Sequence, residues 1–521
     1  MLSDALEPNI MEPELKMHTT NSKKTAAVFA CAALLVMAGC DSLLEVDLPS
    51  AVTESALDDP STAALQVNSV AASFECAYSS FAATASGNED NFQRYVGVAG
   101  GYAQYPATPN GGSCDGDAYS TEWVNPFLTA MGQGFQTWAN INSYAIADKD
   151  RLLAKLALYE ALTIGVFGEY FCEFAINAGP LLTFSQTLDV AEGWADSALA
   201  KIDAAVGAGG TFPINTQQGT VTDDLRQTVL GLRSRLRWAN GDLAGAVVDA
   251  AAVTDGHMAW VLREEGEDRR NMVSSYQGNG GGVQAAGFLQ GAINIISPTI
   301  LKGISELGSH PVTMVPWPSP LKFTGYIDLA IETATGRAIS DNADALTLAD
   351  AGTEMDTRVT HAIGDTGGGQ DYIITKYTGL ADDIPMINWR EMRLIEAQEA
   401  GPSAAGVDFV NRVRAGDNLP LVAGAYRTLV EGDADRYDDM ILEERRRALW
   451  LEARYWSTKI LNNEKLWFPR QVGEWITPIS TSALGGAVRM LMPSAEYDIN
   501  PNLSPADRGT GCPPGQAPVG F

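Results

Sequence analysis

The sequence has few basic residues for its length. Its 521 residues include 35 Lys and Arg against 64 Asp and Glu, which gives a formal net charge of −29. A protein that coats nucleic acid or an anionic lipid surface needs a basic face to meet the phosphates. We therefore expect no nucleic-acid partner, and any membrane attachment must come from something other than a basic patch.

Histidines and catalytic signatures are also scarce. The chain has four histidines, and the three beyond the N-terminal region, His257, His310 and His361, are far apart in sequence. The six cysteines form no C-x-x-C pair, and the motifs G-x-S-x-G, H-E-x-x-H and G-x-x-x-x-G-K-[ST] are absent. We therefore predict no metal, no cofactor and no catalytic residue, and thus not an enzyme. Paired-carboxylate glycoside hydrolysis stays open as an alternative, because carboxylates are abundant.

One short apolar run lies near the N-terminus. Residues 25–37 contain a single polar residue, Thr25, and the run is too short to span a bilayer, which takes about 20 residues. Lysines precede it and small residues follow, which is the pattern of an export signal. We expect this signal peptide to occupy residues 1–39. Met17 is an alternative start, because the acidic residues before it do not suit the beginning of a signal.

The signal is followed by a cysteine at the expected cleavage point. The residues V-M-A-G-C (36–40) resemble a bacterial lipobox, in which the cysteine sulfur is acylated. The resemblance implies that Cys40 is a lipid anchor, and buried acyl chains bind a membrane by about 0.8 kcal/mol per CH₂. Residues 40–60 then form an acidic, proline-containing tether. The alternative is an ordinary signal peptide with an incidental cysteine.

Four cysteines remain beyond the signal and the anchor. Thiols of an exported protein are expected to pair. Four cysteines allow three connectivities, and the sequence leaves all three open. The disulfide candidates are Cys76, Cys114, Cys172 and Cys512.

Apolar residues recur at helical spacing through much of the remaining chain. Helices are predicted over residues 61–81, 126–149, 150–167, 185–206, 384–401, 404–416 and 438–461. Residues 223–256 predict a helical pair around the turn Asn240-Gly241-Asp242, and this pair resembles a tetratricopeptide unit. The apolar character of residues 150–171 predicts a core helix.

Long irregular segments separate these helices. Residues 82–122 and 265–325 are rich in glycine, proline and polar residues, and residues 371–379 alternate like a strand. Residues 493–503 are expected to be extended. We predict a mainly α fold of tetratricopeptide-like helical pairs with long irregular ligand-binding loops and a few short strands. It forms a single domain over residues 61–521, with a helical half (61–260), a loop-rich middle (261–383) and a C-terminal helical half (384–521).

Several sequence blocks occur in a characteristic order. They are C-D-S-L-L-E-V-D-L-P (40–49), G-E-Y-F (168–171), D-D-I-P-M-I (382–387), E-M-R-L-I-E-A-Q-E-A (391–400), V-N-R-V-R (410–414), I-L-E-E-R-R-R (441–447) and P-S-A-E-Y-D-I-N-P-N-L (493–503). As an ordered set they resemble the SusD/RagB family of nutrient-binding outer-membrane lipoproteins. Two departures are Phe171-Cys172, where the family usually has Pro, and Met492-Pro493, where it usually has Ile-Pro.

The resemblance implies both a fold and a function. The fold is the tetratricopeptide-like one with ligand-binding loops. The location is the outer membrane, with a lipid anchor and an outward-facing body. The function is capture of a nutrient, a glycan first and a peptide second, for a TonB-dependent (SusC-like) outer-membrane barrel. The alternatives are a helical-repeat scaffold lipoprotein of the envelope and a surface-anchored glycoside hydrolase.

Aromatic side chains are the candidate ligand contacts, because the apolar C–H faces of sugars stack on flat rings. The candidates lie in or beside the two long irregular segments. They are Tyr95, Tyr102, Tyr105, Trp123, Trp317 and Tyr326.

Overall fold

A computed structural model describes a large part of the chain. The described residues are 58–89, 92–94, 123–266, 269–278, 283–285, 329–332, 337–340, 357–358, 361–365, 370–462, 488–514 and 516. They all belong to one compact unit, Asp58–Phe521. The signal peptide and most of the tether lie outside the described residues, so these assignments and the domain boundaries stay predictions.

The described part is mainly helical, which confirms the predicted fold class. A short 3-10 helix, Pro60–Thr62, leads into the first α-helix. The α-helices are α1 (Ala63–Asn88), α2 (Asn125–Ser143), α3 (Lys149–Tyr170), α4 (Phe184–Val206), α5 (Leu225–Ala239), α6 (Leu243–Ala250), α7 (Met272–Gly278), α8 (Trp389–Ala400), α9 (Ala404–Gly416), α10 (Gly424–Gly432), α11 (Ala434–Ala448), α12 (Tyr455–Leu461) and α13 (Ser494–Ile499). None of the described helices is both long and apolar enough to cross a membrane.

Helices that follow each other in sequence also pack against each other. Contacts run from α1 to α2, α2 to α3, α3 to α4, α4 to α5 and α5 to α6. Helix α8 joins the C-terminal half to this stack, because it contacts α5, α6, α9 and α11. This order of packing is what tetratricopeptide-like pairs produce.

The predicted turn between α5 and α6 is present. Asn240 ends α5, and Gly241 follows with φ of 86°, a left-handed conformation that favours glycine. Asp242 begins α6 and accepts a hydrogen bond from the Gly245 backbone N–H at 2.9 Å. The side-chain cap satisfies an amide that the helix itself leaves without an acceptor.

Short strands pair two by two in antiparallel fashion. The described pairs are β1 (Phe92–Arg94) with β7 (Val283–Ala285), β2 (Glu173–Ala175) with β3 (Leu181–Thr183), β4 (Ile214–Thr216) with β5 (Gly219–Thr222), β6 (Met258–Val261) with β12 (Ile384–Asn388), β8 (Leu329–Glu332) with β9 (Arg337–Ser340), and β10 (His361–Asp365) with β11 (Gln370–Ile374). The pair β6–β12 joins segments more than 100 residues apart in sequence.

The core is built around α3. Every residue of this helix from Leu153 to Tyr170 is buried, which confirms the predicted core helix. Aromatic rings fill the space beside it, with the Phe127 ring centroid 5.5 Å from that of Phe74 and 6.1 Å from that of Phe81. Rings at these separations attract each other through their quadrupoles in addition to the apolar surface they bury.

The structure corrects the limits of two predicted elements. Helix α1 continues to Asn88, although residues 82–122 were predicted as irregular. The single helix predicted over residues 438–461 is divided into α11 and α12. Between them Leu451 and Ala453 have φ of 61° and 58°, left-handed values that a right-handed helix cannot contain.

Two further expectations are wrong in detail. The predicted helix 384–401 begins with strand β12 and becomes helical only at Trp389. Asn388 lies at that boundary, where its side chain accepts a hydrogen bond from the Arg390 backbone N–H at 3.0 Å and so caps α8. The segment expected to be extended over residues 493–503 contains the short helix α13.

A disulfide connects the end of α3 to the C-terminal segment. Cys172 and Cys512 are bonded, across 340 residues of sequence. The neighbouring Glu173 is buried, and its carboxylate accepts hydrogen bonds from Gly511 N at 2.6 Å and from the Tyr497 hydroxyl. The disulfide and the buried carboxylate thus hold the C-terminal segment against the helical stack.

One carboxyl in the core is buried without a hydrogen-bond partner among the described residues. Glu160 of α3 is fully buried, and within the described part of the chain neither of its oxygens has a hydrogen-bond partner. It packs on Gly134 of α2, where an added Cβ would lie 1.4 Å from Glu160 Oε1. Burial raises the pKa of Glu160 to about 9, so the folded protein holds it as the neutral acid.

This carboxyl should make stability depend on pH. Between the unfolded pKa near 4.5 and the folded value near 9, only the folded state retains the proton. The free energy of unfolding should therefore fall as pH rises through this window, by up to about 1.4 kcal/mol per pH unit from this group. Glu160→Gln should remove this part of the slope in denaturant unfolding measured from pH 5 to 9.

The control is Glu399→Gln on the exposed face of α8. It should leave the slope of stability against pH unchanged, because this side chain is exposed to water in the folded chain as it is in the unfolded one. A slope in Glu160→Gln equal to that of the unmodified chain would contradict a neutral Glu160. Gly134→Ala should lower stability at every pH, since its methyl group overlaps the carboxyl.

Candidate functional site

A groove lies over strand β6 and the start of α8. Two adjoining cavities of about 660 and 720 Å³ share Met258, Trp260 and Arg390 in their linings. We call this feature the Trp260 groove. Side chains alternate along a strand, so Met258 and Trp260 are half-buried on the groove side while Ala259 and Val261 are buried in the core.

A second tryptophan forms one end of the groove. Trp389 begins α8, and its ring packs against Gly416, where a Cβ would lie 2.6 Å from a ring carbon. The Arg390 guanidinium lies 5.1 Å from the centre of the Trp389 ring, within the range of a cation–π contact. Asp417 binds the same guanidinium, with Arg390 Nε 2.9 Å from Oδ1. Arg390 is therefore held at the groove with its charge already paired.

The opposite wall carries further charged side chains. Lys376 Nζ lies 2.8 Å from Glu452 Oε1 and 5.7 Å from the centre of the Tyr377 ring. Asp383 accepts a hydrogen bond from the Arg263 backbone N–H at 2.7 Å, and burial raises the pKa of Asp383. The groove lining thus contains donors, acceptors and aromatic surface.

A buried ionic cluster lies at the core side of α8. Glu391 is fully buried and receives Arg235 Nη2 at 2.7 Å, Arg454 Nη2 at 3.0 Å and Arg445 Nη2 at 3.6 Å. Burial alone would raise the pKa of Glu391, but the three guanidinium groups lower it to about 2. Arg454 also binds Glu169 at 2.8 Å. We call these five residues the Glu391 cluster.

A second buried carboxylate pairs with two arginines. Glu444 receives Arg358 Nη1 at 2.5 Å and Arg414 Nη1 at 2.7 Å. Burial opposes its ionisation, yet the two arginines hold the pKa of Glu444 well below its usual range. Two charges of the I-L-E-E-R-R-R block are therefore structural, since Glu444 and Arg445 both pair inside the fold.

Most of the predicted ligand-contacting residues cannot be located. Tyr95, Tyr102, Tyr105, Trp317 and Tyr326 lie outside the described residues, as do the anchor Cys40 and the disulfide candidate Cys114. Of the other cysteines, Cys172 and Cys512 are paired and Cys76 is half-buried in α1. These ligand contacts and the anchor stay predictions.

Trp123 is located, and its position corrects the expectation for it. Its side chain is fully buried, with ring centroids 5.1 Å from Phe81, 6.0 Å from Phe127 and 6.0 Å from Phe171. A ring enclosed by other rings has no face left for a ligand. Trp123 is a core residue.

The sequence alone did not single out the groove residues. Residues 258–261, M-A-W-V, form a continuous apolar run, which does not indicate that Met258 and Trp260 are only half-buried. Their partners Lys376, Arg390 and Asp417 come from distant positions that no local pattern connects. In the described part of the chain, no group of three or more His, Cys, Asp or Glu side chains could hold a metal ion.

Comparison with known proteins identifies the fold. No family model matches the sequence, and no curated protein matches it. Among solved structures, a SusD homolog from Bacteroides thetaiotaomicron is 11% identical over 86% of this chain and 97% of its own, with a TM-score of 0.53. A SusD-like carbohydrate-binding protein from Bacteroides fragilis is 13% identical over 86% of this chain and 99% of its own, with a TM-score of 0.52. A SusD superfamily protein from Bacteroides vulgatus is 10% identical over 87% of this chain and 99% of its own, with a TM-score of 0.50.

The chain therefore has the SusD-like fold, and the resemblance carried by the ordered sequence blocks is confirmed at the level of the fold. The alignments cover 86–87% of this chain and 97–99% of the neighbours, so the likeness is not confined to one part of the fold. At this level of identity the likeness defines the architecture, and the ligand has to be argued from the side chains.

The Glu391 cluster should be essential for stability. Glu391→Gln removes the negative charge and leaves three guanidinium groups facing each other in the core. We expect the free energy of unfolding to fall by about 3–5 kcal/mol, because an unpaired buried charge loses solvation without compensation. Denaturant unfolding followed by circular dichroism measures this change.

The matched control is Glu192→Gln, which breaks a half-exposed pair with Arg237. Pairs open to water contribute about 1 kcal/mol or less. A loss for Glu391→Gln no larger than that of the control would show that the cluster does not hold the fold.

Proposed function

We propose that this protein is a substrate-binding lipoprotein of the outer membrane that captures a glycan and delivers it to a TonB-dependent barrel. The observation that carries the proposal is the SusD-like fold, shared with a structure described as a carbohydrate-binding protein. The predicted lipobox at Cys40 supports attachment by lipid. The acidic body supports solubility above an anionic surface, since it is repelled rather than adsorbed.

The Trp260 groove has the chemistry for a sugar. A sugar ring offers an apolar C–H face with hydroxyl groups around its rim. Trp260 supplies aromatic surface shared by both cavities, and Arg390 and Asp417 beside it supply donors and acceptors. We propose that the groove contacts the glycan, together with the predicted aromatics Tyr95, Tyr102, Tyr105, Trp317 and Tyr326.

No catalytic function is proposed. The sequence shows no catalytic signature, and the proposed role is binding alone. A hydrolase would turn over its glycan, and the turnover would vanish with one carboxylate variant. A scaffold protein would bind no small ligand. The two alternatives are therefore separated from the proposal by the same measurement of glycan binding and product formation.

Glycan binding should depend on Trp260. We expect Trp260→Ala to weaken the binding of a glycan found by array screening by about fivefold or more, since loss of a stacking aromatic anchor costs about 1–3 kcal/mol. Isothermal titration calorimetry on the full chain in mild detergent measures the affinity. The control is Trp194→Ala, a half-buried tryptophan that packs on Trp138 outside the groove. Equal affinity in both variants would place the glycan elsewhere.

The transporter partnership is tested separately. A tagged full chain, extracted from its own membranes in mild detergent, should carry a TonB-dependent barrel through purification. Cys40→Ala removes the proposed anchor and should release the protein from the membrane fraction. Repeated recovery of the chain without a barrel would contradict delivery to a transporter and would leave glycan binding to be judged by the calorimetry.

A further inference from the structure

The cations of the Trp260 groove already have anionic partners. Five basic side chains line the two cavities, and each lies within ion-pair distance of a carboxylate. The pairs are Arg358 with Glu444, Lys376 with Glu452, Arg390 with Asp417, Arg412 with Asp255, and Arg447 with Glu443. Among the lining residues that the structure describes, no cation is left to neutralise an incoming anion.

Two of these pairs are arginine–aspartate pairs joined by two hydrogen bonds each. Arg412 binds Asp255 through two nitrogens, at 3.0 Å from Nε and 2.9 Å from Nη2. Arg390 likewise engages both oxygens of Asp417, at 2.9 and 3.0 Å from Nε. In such forked pairing the aspartate oxygens occupy the guanidinium N–H donors that an external carboxylate would otherwise accept from.

The remaining groove charges are negative. Asp382 accepts hydrogen bonds from the backbone N–H groups of Thr378 at 2.5 Å and Gly379 at 2.9 Å. Asp383 accepts one from Arg263 N. In the part of the chain that the structure describes, neither aspartate forms an ion pair. Among the described lining residues, the groove therefore has two carboxylates without an ion pair, Asp382 and Asp383, while every basic side chain is paired with a carboxylate.

The whole protein adds to this local bias. Removal of residues 1–40, which hold four acidic and three basic residues, leaves a net charge of −28. An anionic ligand would approach against this field. On binding it would have to displace a carboxylate from its arginine.

From these charges we infer that the Trp260 groove selects uncharged oligosaccharides and rejects those that carry a carboxylate. The inference rests on the proposed function, since it names the class of glycan that the same groove takes. Hydroxyl groups suit paired ions, because each hydroxyl can accept from a guanidinium N–H and donate to a carboxylate oxygen without breaking the pair.

The test compares ligands that differ in one charge. The probes are neutral α- and β-glucan, mannan, galactan and xyloglucan oligosaccharides, each paired with the same oligosaccharide oxidised at one C6 to a carboxylate. Calorimetry on the full chain in mild detergent measures both affinities. At low salt the oxidised form should bind about fivefold or more weakly. The gap should narrow at 0.5 M salt, because salt screens the charge repulsion.

Variants that release a groove cation sharpen the test. Asp417→Asn frees Arg390 and should raise the affinity of the oxidised glycan severalfold relative to the neutral one. Glu452→Gln frees Lys376 and provides the same test if Asp417→Asn fails to fold. Asp203→Asn, which releases Arg226 outside the groove, should leave the ratio unchanged.

The outcomes separate the two proposals. An oxidised glycan that binds the unmodified chain as tightly as its neutral partner overturns the inferred selectivity and leaves glycan binding intact. Absence of binding by every probe contradicts glycan capture itself. A weaker oxidised glycan, with a ratio that shifts in Asp417→Asn or Glu452→Gln, supports both.

Discussion

The fold depends on a single buried carboxylate and the three guanidinium groups around it. Glu391 has no access to water, so its charge is tolerable only while Arg235, Arg445 and Arg454 are all in place. These arginines belong to α5, α11 and the segment between α11 and α12. The cluster therefore makes folding of the two halves cooperative, because the N-terminal stack and the C-terminal helices must pack together before the buried charges are fully compensated.

The same construction positions the groove. Glu391 lies in the first turn of α8, directly after the groove residues Trp389 and Arg390, so fixing Glu391 fixes the start of the helix. Asn388 caps that helix and donates a hydrogen bond to Glu452 at 2.9 Å. Glu452 in turn binds Lys376 on the opposite wall. The groove residues are thus held in place by the core, because hydrogen bonds and ion pairs connect the buried charges to the residues that face solvent.

Sequence periodicity predicted most helices because burial of one face is a local property of the chain. The Asn240-Gly241-Asp242 turn was predictable for a different local reason, because glycine favours the left-handed conformation and aspartate caps the following helix. Periodicity did not predict the division between α11 and α12, where Leu451 takes a left-handed conformation that its residue type does not favour. Nor could it choose the Cys172–Cys512 disulfide or assemble the groove, since these depend on segments brought together by tertiary packing. Trp123 is an example, because the sequence around an aromatic residue beside a long loop is the same whether its ring is buried or exposed.

The sequence blocks that carried the resemblance are largely the blocks that hold the charges of the core. Glu169 comes from G-E-Y-F, Glu391 from E-M-R-L-I-E-A-Q-E-A, Arg414 from V-N-R-V-R, and Glu444 and Arg445 from I-L-E-E-R-R-R. These residues face one another and not a ligand. These motif residues therefore help to specify the scaffold, which is consistent with their indicating the fold in a chain only 10–13% identical to its structural neighbours. Other motif residues, Asp382, Asp383 and Arg447, line the groove. The ligand is a separate question, and we propose that it is contacted by side chains such as Trp260, which belongs to none of the blocks.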